Sequence, residues 1–369
     1  MRHIVRMSGI FLLLLLTSCK PNVSEPTLTK KPISILPEPP ISEETIKPLT
    51  ELNGNFERIT GWLSDQEILY ITRQQSNYML NVYHIKSGEN RILLTITEPI
   101  IEVRIHPSLS KIAVVTSSNS LSASIHFFST IGEELDKVTI ESSELYWDWH
   151  PANSNDIFFS AFYEDWTFDS FVYSIETKDM TRFVTNDPFG KWGKESSIYT
   201  INWPENDTLS GGTLREMNTR DMTSQDVNFS SDVIYVEATD DVEVRVAISD
   251  DQQKFLYTLV RYQDGKSTTF ELPAISNYSQ WYVPEIEWLR DGTMLTYEAS
   301  ESGLIDEISS DFDLVRLSID EPKNTILEGP HESFACNPSG IICLTGVQLE
   351  KLMDVESGEI HSWITLQEE

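Results

Sequence analysis

The feature that most constrains the fold is a short pattern that returns along the chain from residue 61 to residue 346. Each copy has an apolar anchor, a short polar turn and a strand rich in large apolar residues, as in EWLRDGTMLTYE at 287–298. The anchors lie 43, 44, 43, 56, 40 and 48 residues apart and are Trp62, Ile105, Trp149, Trp192, Ile248, Trp288 and Cys336. Repeats of roughly 40–50 residues with four short strands each are typical of propeller blades, because a closed ring buries faces that one blade leaves exposed.

The residues between the anchors favour antiparallel strands. NVYHI and ASIHFF alternate between apolar and polar residues, as half-buried strands do, and no convincing helical periodicity follows residue 50. We therefore predict an all-β protein, a β-propeller with seven blades by the count of anchors. The spacing of 56 residues predicts an insertion within 204–241.

The chain opens with a charged and then apolar leader. Arg2 and Arg6 precede the apolar run from Ile10 to Leu16, which is too short to cross a bilayer but has the size of a signal-peptide core. Leu16-Thr17-Ser18-Cys19 resembles the bacterial lipobox, in which the cysteine is acylated and becomes the mature N-terminus. The resemblance implies a signal peptide at 1–18, acyl chains such as palmitate on Cys19, and a tether on the outer face of a bacterial cytoplasmic membrane. The alternative is an ordinary signal peptide with a chance cysteine.

A proline-rich segment follows Cys19. Seven of the 17 prolines fall between residues 20 and 50, and such a segment is a semi-rigid spacer of about 3.1 Å per residue. We therefore predict a lipidated stalk at 19–50 and the propeller domain at 51–369. A proline-rich ligand for a partner is the alternative use of this segment.

The charge balance limits the partners. The chain has 27 Lys and Arg against 58 Asp and Glu, a net charge of −31. A surface of this sign repels nucleic-acid phosphates, so we expect no nucleic-acid partner.

Known chemical motifs are missing from the sequence. It contains no G-x-S-x-G, H-E-x-x-H or C-x-x-C, and its seven His are scattered. We predict no catalytic residue, metal site or cofactor. His106 and His150 occupy the same place in two repeats, each before a proline, which favours a role in turns.

Two cysteines occur late in the chain. Cys336 and Cys343 flank NPSGII, and a hairpin centred on Ser339-Gly340 would place them opposite each other. Outside the cytoplasm such a pair can oxidise. A disulfide and two packed thiols both remain open.

One loop combines aromatic and acidic residues in the way that sugar-binding or basic-peptide-binding surfaces do. It lies in FYEDWTFDSF, and the candidate contact residues are Phe162, Tyr163, Glu164, Asp165, Trp166 and Phe168. It joins two strands of the third repeat, so we expect it at a rim of the ring. The alternative is aromatic packing between neighbouring blades.

The repeats are similar to the Trp-Ser-Pro-Asp-Gly repeats of TolB-type propellers, with the match at Trp288, Asp291 and Gly292 and with Arg290 in place of proline. The layout from lipobox through stalk to acidic propeller resembles the YqgU-like lipoproteins of Bacillus-type bacteria. That resemblance implies a six-bladed propeller, the alternative to our count of seven, and it implies no catalytic residues.

These features predict a monomeric, lipid-anchored propeller that binds or scaffolds a protein, a peptide or a glycan at the cell surface. The alternative is an enzyme acting on cell-wall sugar or peptide, with carboxylates gathered at the central channel. Three or more convergent acids there would favour the enzyme, whereas an aromatic rim would favour binding.

Overall fold

The computed structural model describes residues 46–205, 207–227, 232–308 and 312–366. The predicted signal peptide, Cys19 and the predicted stalk as far as residue 45 lie outside the described residues. Within the described ranges, no helix is long and apolar enough to cross a membrane. Their helical content is one 3₁₀ turn, Thr208–Ser210.

The described chain folds into seven four-stranded antiparallel sheets and one small sheet. In the first five and the seventh, strands that are consecutive in sequence are neighbours in space. The first sheet contains β1 (Asn55–Trp62), β2 (Glu67–Gln74), β3 (Asn77–His84) and β4 (Asn90–Ile96). The second contains β5 (Ile100–Ile105), β6 (Lys111–Asn119), β7 (Ser122–Ser129) and β8 (Glu134–Glu141). The third contains β9 (Glu144–Trp149), β10 (Asp156–Phe162), β11 (Phe168–Ser174) and β12 (Met180–Phe183). The fourth contains β13 (Lys191–Trp192), β14 (Ser197–Asn202), β15 (Thr213–Asn218) and β16 (Ser224–Asp226).

The later sheets repeat this arrangement around one small addition. The fifth contains β17 (Tyr235–Ala238), β18 (Val242–Ile248), β19 (Lys254–Arg261) and β20 (Ser267–Pro273). The small sheet contains β21 (Ile275–Asn277), β22 (Gln280–Trp281) and β25 (Gly303–Leu304). The sixth contains β23 (Ile286–Trp288), β24 (Met294–Ala299), β26 (Phe312–Leu317) and β27 (Asn324–Gly329). The seventh contains β28 (Phe334–Cys336), β29 (Ile342–Thr345), β30 (Lys351–Asp354) and β31 (Ile360–Ser362).

The seven sheets form a closed ring with their first strands innermost. Between the first and last sheets, Trp62 Nε1 donates to the Ala335 carbonyl at 2.8 Å, and Asn337 Nδ2 donates to the Asp65 carbonyl at 3.2 Å. A shared apolar cluster joins the same two sheets. Leu49 forms a parallel bridge with Ile364. Closure of this kind covers the apolar faces that the first and last sheets would otherwise expose.

Burial explains why the inner strands read as apolar runs. In β2, the residues from Ile68 to Ile71 are all buried, because each sheet packs against a neighbour on both faces. The outermost strand β8 instead alternates between exposed and buried residues. The sequence patterns therefore reflect distance from the centre of the ring as well as strand direction.

One predicted anchor is wrong. Six anchors end the first strand of a sheet, but Ile248 ends β18, a second strand, and Ala238 at the end of β17 is the equivalent residue. The β18–β19 hairpin also runs from an apolar strand through a polar turn into an apolar strand, so the pattern alone does not separate the two positions. The spacing of 56 came from this misassignment, and the chain adds its extra strands later, as β21, β22 and β25.

The predicted turn role of His106 and His150 agrees with their contacts. His106 Nδ1 accepts from Ser108 N–H at 3.0 Å, and His106 Nε2 hydrogen-bonds the His150 carbonyl at 2.8 Å. His150 in turn hydrogen-bonds the Glu195 carbonyl. Each imidazole thus organises its own turn and ties it to the next sheet.

Candidate functional site

The connectivity gives the ring two rims. We define the upper rim by the turns from second to third strands together with the connections between successive sheets. The lower rim consists of the turns from first to second and from third to fourth strands. Because every sheet runs in the same order, each rim collects one class of connection from around the ring.

Exposed apolar side chains are concentrated on the upper rim. Its connections carry Leu121, Trp166, Val184, Phe189, Trp203, Tyr278 and Val347. Among the described residues, the lower-rim connections carry one exposed large apolar side chain, Ile131. Exposed apolar patches are typical of interaction surfaces, so the upper rim is the candidate contact face.

Charge follows the same division. The described upper-rim connections contain no Lys or Arg. Their exposed acids are Glu164, Asp165, Glu205, Asp207, Asp232, Asp250, Asp251, Glu285, Glu301, Asp306 and Glu307. The lower-rim connections mix acids with Lys86, Lys178, Lys194, Arg220, Lys266, Arg290 and Lys323.

The aromatic loop of the third repeat lies on the upper rim, between β10 and β11, and its residues divide into two groups. Phe162 and Phe168 face each other in register with ring centroids 5.9 Å apart, so they pack. Tyr163 is partly buried against the core, and its hydroxyl donates to Asp169 at 3.2 Å. These three side chains therefore make contacts within their own sheet.

The other three loop residues face solvent. Asp165 Oδ1 accepts from Thr167 N–H at 3.1 Å and from the Thr167 hydroxyl, so this carboxylate stabilises the turn. Those hydrogen bonds lower the pKa of Asp165. Glu164 is exposed. Trp166 is 82% exposed and has a left-handed backbone with φ of 66°.

A patch extends from this loop to the fourth sheet. Phe162 contacts Phe189 with centroids 5.8 Å apart, and Phe189 lies on the connection from β12 to β13. That connection forms one wall of a cavity of about 240 Å³, whose lining includes Val184, Asp187, Ile201, Asn202, Arg215 and Met217. Trp203 follows Asn202 directly. We call Trp166, Val184, Phe189, Trp203 and this cavity the rim patch.

A second cluster lines the inside of the ring. In the second to sixth sheets the residue just before the anchor position is charged, giving Arg104, Asp148, Lys191, Glu237 and Glu287. Neighbouring residues of a strand point to opposite faces of the sheet, and these side chains lie on innermost strands, where they reach the first strand of the next sheet, as Asp148 does when it accepts from Trp192 N–H at 2.9 Å. None of these residues is among the predicted contact residues, although the charge that recurs before successive anchors is visible in the sequence.

Burial and neighbouring carboxyl groups raise the pKa of Glu287 on this inner ring. Burial raises the pKa of Glu287 to about 8, despite a 3.1 Å hydrogen bond from Cys336 N–H, and Glu285 and Glu237 add to the increase. Partial desolvation and Glu237 also raise the pKa of Glu285, the solvent-exposed residue that directly precedes β23. Glu237 accepts from Trp288 Nε1 at 3.0 Å and from the Tyr235 hydroxyl. Three acids therefore converge at the inner strands of the fifth and sixth sheets.

The opposite side of the inner ring is balanced by cations. Arg104 pairs with Glu102 at 2.5 Å and stacks over Trp147 at 4.3 Å. Lys191 lies 3.6 Å from Asp148. Burial opposes the charge of Lys191, but Asp148 and other anionic neighbours outweigh it and raise its pKa.

The two late cysteines lie opposite each other on β28 and β29, as the hairpin hypothesis requires. Cys336 pairs in register with Cys343, and their sulfur atoms are 1.86 Å apart. Among the described residues, no group of three or more His, Cys, Asp or Glu is placed to hold a metal ion.

Comparison with known proteins agrees with this architecture. The profile of the family described as "YqgU-like 6-bladed beta propeller domain" matches residues 84–346. This range holds the second to sixth sheets whole and only parts of the first and seventh. The structure has seven four-stranded sheets, whereas the family description gives six blades.

Individual relatives point the same way. An uncharacterized lipoprotein YqgU of Bacillus subtilis (strain 168) is 20% identical over 309 residues, covering 84% of each chain. A crystal structure of an uncharacterized protein from Listeria monocytogenes EGD-e has a TM-score of 0.77 at 18% identity, over 87% of this chain and 98% of that one. The β-propeller domain of the Trilobed protease from Pyrococcus furiosus has a TM-score of 0.55 at 10% identity, over 83% and 98%. These structural likenesses concern the fold.

Proposed function

Since this chain belongs to the family of YqgU-like β-propeller proteins, we propose that it is a membrane-tethered propeller that holds a partner at the cell surface through its upper rim. The observation that carries the proposal is the concentration of exposed apolar side chains on the upper-rim connections. Contact residues of this kind, set among polar neighbours, are what protein interfaces use as anchors.

The tether is the second part of the proposal. Leu16-Thr17-Ser18-Cys19 has the form of a lipidation signal, and the Bacillus subtilis relative is named a lipoprotein. Two or more acyl chains on Cys19 would anchor the protein stably. If wild type takes up no labelled palmitate in growing cells, or if Cys19→Ala takes up as much as wild type, the lipid anchor is wrong.

The point where the described chain joins the ring supports exposure of the upper rim. Lys47 N–H donates to the Ile85 carbonyl at 2.8 Å, and Lys47 Nζ donates to the Ser87 carbonyl at 2.9 Å. Ile85 and Ser87 belong to a lower-rim turn. A tether that joins the ring at this turn leaves the upper rim open to a partner.

Crosslinking in intact cells tests the binding face. We expect Trp166→Ala combined with Phe189→Ala to reduce partner capture, while Ile131→Ala on the lower rim captures as wild type does. Circular dichroism and thermal unfolding of each variant check that the ring is intact. Equal capture by a folded double variant would place the binding face elsewhere.

A second candidate function rests on the inner ring. Burial raises the pKa of Glu287 to about 8, and the neighbouring Glu285 and Glu237 add to that increase. A carboxyl group with a raised pKa beside a second carboxyl group is what many hydrolases use as their general acid. Such an enzyme would act on cell-wall sugar or peptide.

Peptidoglycan fragments test this second candidate. Release of soluble products by wild type, with loss in Glu287→Gln but not in Glu133→Gln on the lower rim, would support it. No product from wild type over prolonged incubation would exclude this activity on peptidoglycan.

A further inference from the structure

Building on the proposed upper-rim function, we propose that the rim patch binds a cationic polypeptide segment, one of whose apolar side chains enters the cavity between the third and fourth sheets. The proposal combines two properties of the same place: the charge of the surrounding connections and the shape and lining of the cavity.

The charge selects a cation. Glu164 and Asp165 lie beside Trp166, and Glu205 lies two residues after Trp203. Bases on the strands close to the upper rim pair with acids: Arg73 with Glu57, Arg182 with Asp169, Lys191 with Asp148, Lys254 with Glu271, and Lys351 with Glu332. An uncompensated acidic rim attracts lysine and arginine and speeds their approach.

The size of the cavity and part of its lining suit an apolar side chain. Its volume of about 240 Å³ is large enough for a leucine or a phenylalanine. Val184, Ile201 and Met217 supply apolar surface, beside the polar side chains of Thr185, Asn186, Thr200, Asn202 and Ser224. Its two charged residues have partners within the protein. Asp187 accepts from Ile201 N–H at 2.7 Å and from Phe189 N–H at 3.0 Å. Arg215 pairs with Asp226 at 3.2 Å.

The exposed aromatic residues complete the patch. Trp166 is 82% exposed, and Phe189, which is 57% exposed, lies on the same connection as the cavity-lining residues Val184 and Asp187. Aromatic faces hold both apolar side chains and the heads of lysine and arginine. A second copy of this chain fits poorly, because two acidic rims would repel each other.

Synthetic peptides test the proposal with the purified full chain in detergent. The probe is a serine peptide with interspersed lysines and one central leucine. One control replaces the leucine with serine, and another replaces the lysines with glutamate. We expect the probe to bind about tenfold more tightly than the leucine-free control, in line with burial of one leucine. We expect no binding of the glutamate peptide and weaker binding of the probe at high salt.

Matched variants locate the site. Val184→Trp should fill the mouth of the cavity and abolish the preference for leucine, while Val347→Trp, an equally exposed upper-rim position on the seventh sheet, should keep it. The double variant Glu164→Gln with Glu205→Gln should bind the probe about fivefold more weakly than wild type. Glu133→Gln with Glu356→Gln on the lower rim should leave binding unchanged.

The outcomes separate this proposal from the proposed function. The proposal of a cationic partner is wrong if the probe does not bind, or if the glutamate peptide binds as tightly as the probe. It is also wrong if the upper-rim and lower-rim variants bind the probe with equal affinity. Cellular capture that still depends on Trp166 and Phe189 would then leave the upper-rim function standing with a partner of other chemistry. If capture does not depend on them, the proposed function fails as well.

Discussion

Trp166 shows how much one residue contributes at this site. Its backbone adopts a left-handed conformation that suits glycine, and its ring is 82% exposed. A bulky residue in that conformation is destabilising by roughly 1 kcal/mol or more, and here the side chain gains little burial in return. The presence of an indole at the tip of the hairpin is therefore better explained by contact with a partner than by stability.

Replacement of Trp166 by glycine separates these roles. We expect the free energy of unfolding of Trp166→Gly to stay within about 1 kcal/mol of wild type, because relief of backbone strain offsets the added freedom of the unfolded chain. Partner capture should fall. Chemical denaturation and crosslinking measure the two effects, and a variant much less stable than wild type would assign the indole to packing.

Glu287 predicts a pH dependence of stability. Its pKa rises from 4.5 to about 8 on folding, so between these values the native protein holds a proton that the unfolded chain releases. Stability should therefore fall as pH rises through this window. We expect the Tm to be lower at pH 8 than at pH 6, by roughly 2 °C or more, and Glu287→Gln to reduce this difference. A Tm difference that is the same in Glu287→Gln would contradict the shift.

At the scale of elements, the strands and their turns could be predicted from the sequence because they are local. Six anchors, the hairpin of Cys336 and Cys343, and the position of the aromatic loop follow from short apolar and polar patterns. The prediction of Ile248 as an anchor was wrong because hairpins between second and third strands have the same sequence pattern as hairpins between first and second strands. The cavity was beyond prediction, since its walls come from the connection after β12 and from β14 and β15, and only folding brings them together.

The β28–β29 hairpin carries a prediction of its own. A disulfide between Cys336 and Cys343 closes a short loop, so its expected contribution is modest, about 2 kcal/mol. Denatured but unreduced protein should show no alkylation at either residue by mass spectrometry, and reduction should lower the Tm. Alkylation of both cysteines before reduction would assign them as packed thiols.

At the scale of the whole molecule, ring closure depends on the first and seventh sheets. Their shared cluster includes Trp62, Tyr83, Leu344 and Trp363, and the family match leaves much of both sheets outside it. The repeat count predicted seven units, the family description gives six, and the structure has seven four-stranded sheets. The number of sheets needed for a stable ring is therefore a property to test.

Truncation tests it. A chain that ends at residue 333 lacks the seventh sheet and exposes the apolar face of the first. We expect it to aggregate or to lose cooperative unfolding, as judged by size-exclusion chromatography and thermal melting. A soluble monomer with a sharp transition would show that six sheets suffice.

The most direct test of the central claim, that a partner contacts the upper rim, is site-specific photocrosslinking in growing cells. A photoreactive amino acid replaces Trp166 on the upper rim or Ile131 on the lower rim, both exposed in the structure. We predict a discrete crosslinked species from position 166, and none from position 131. Crosslinks from position 131 alone, or equal crosslinks from both, would contradict an upper-rim binding face.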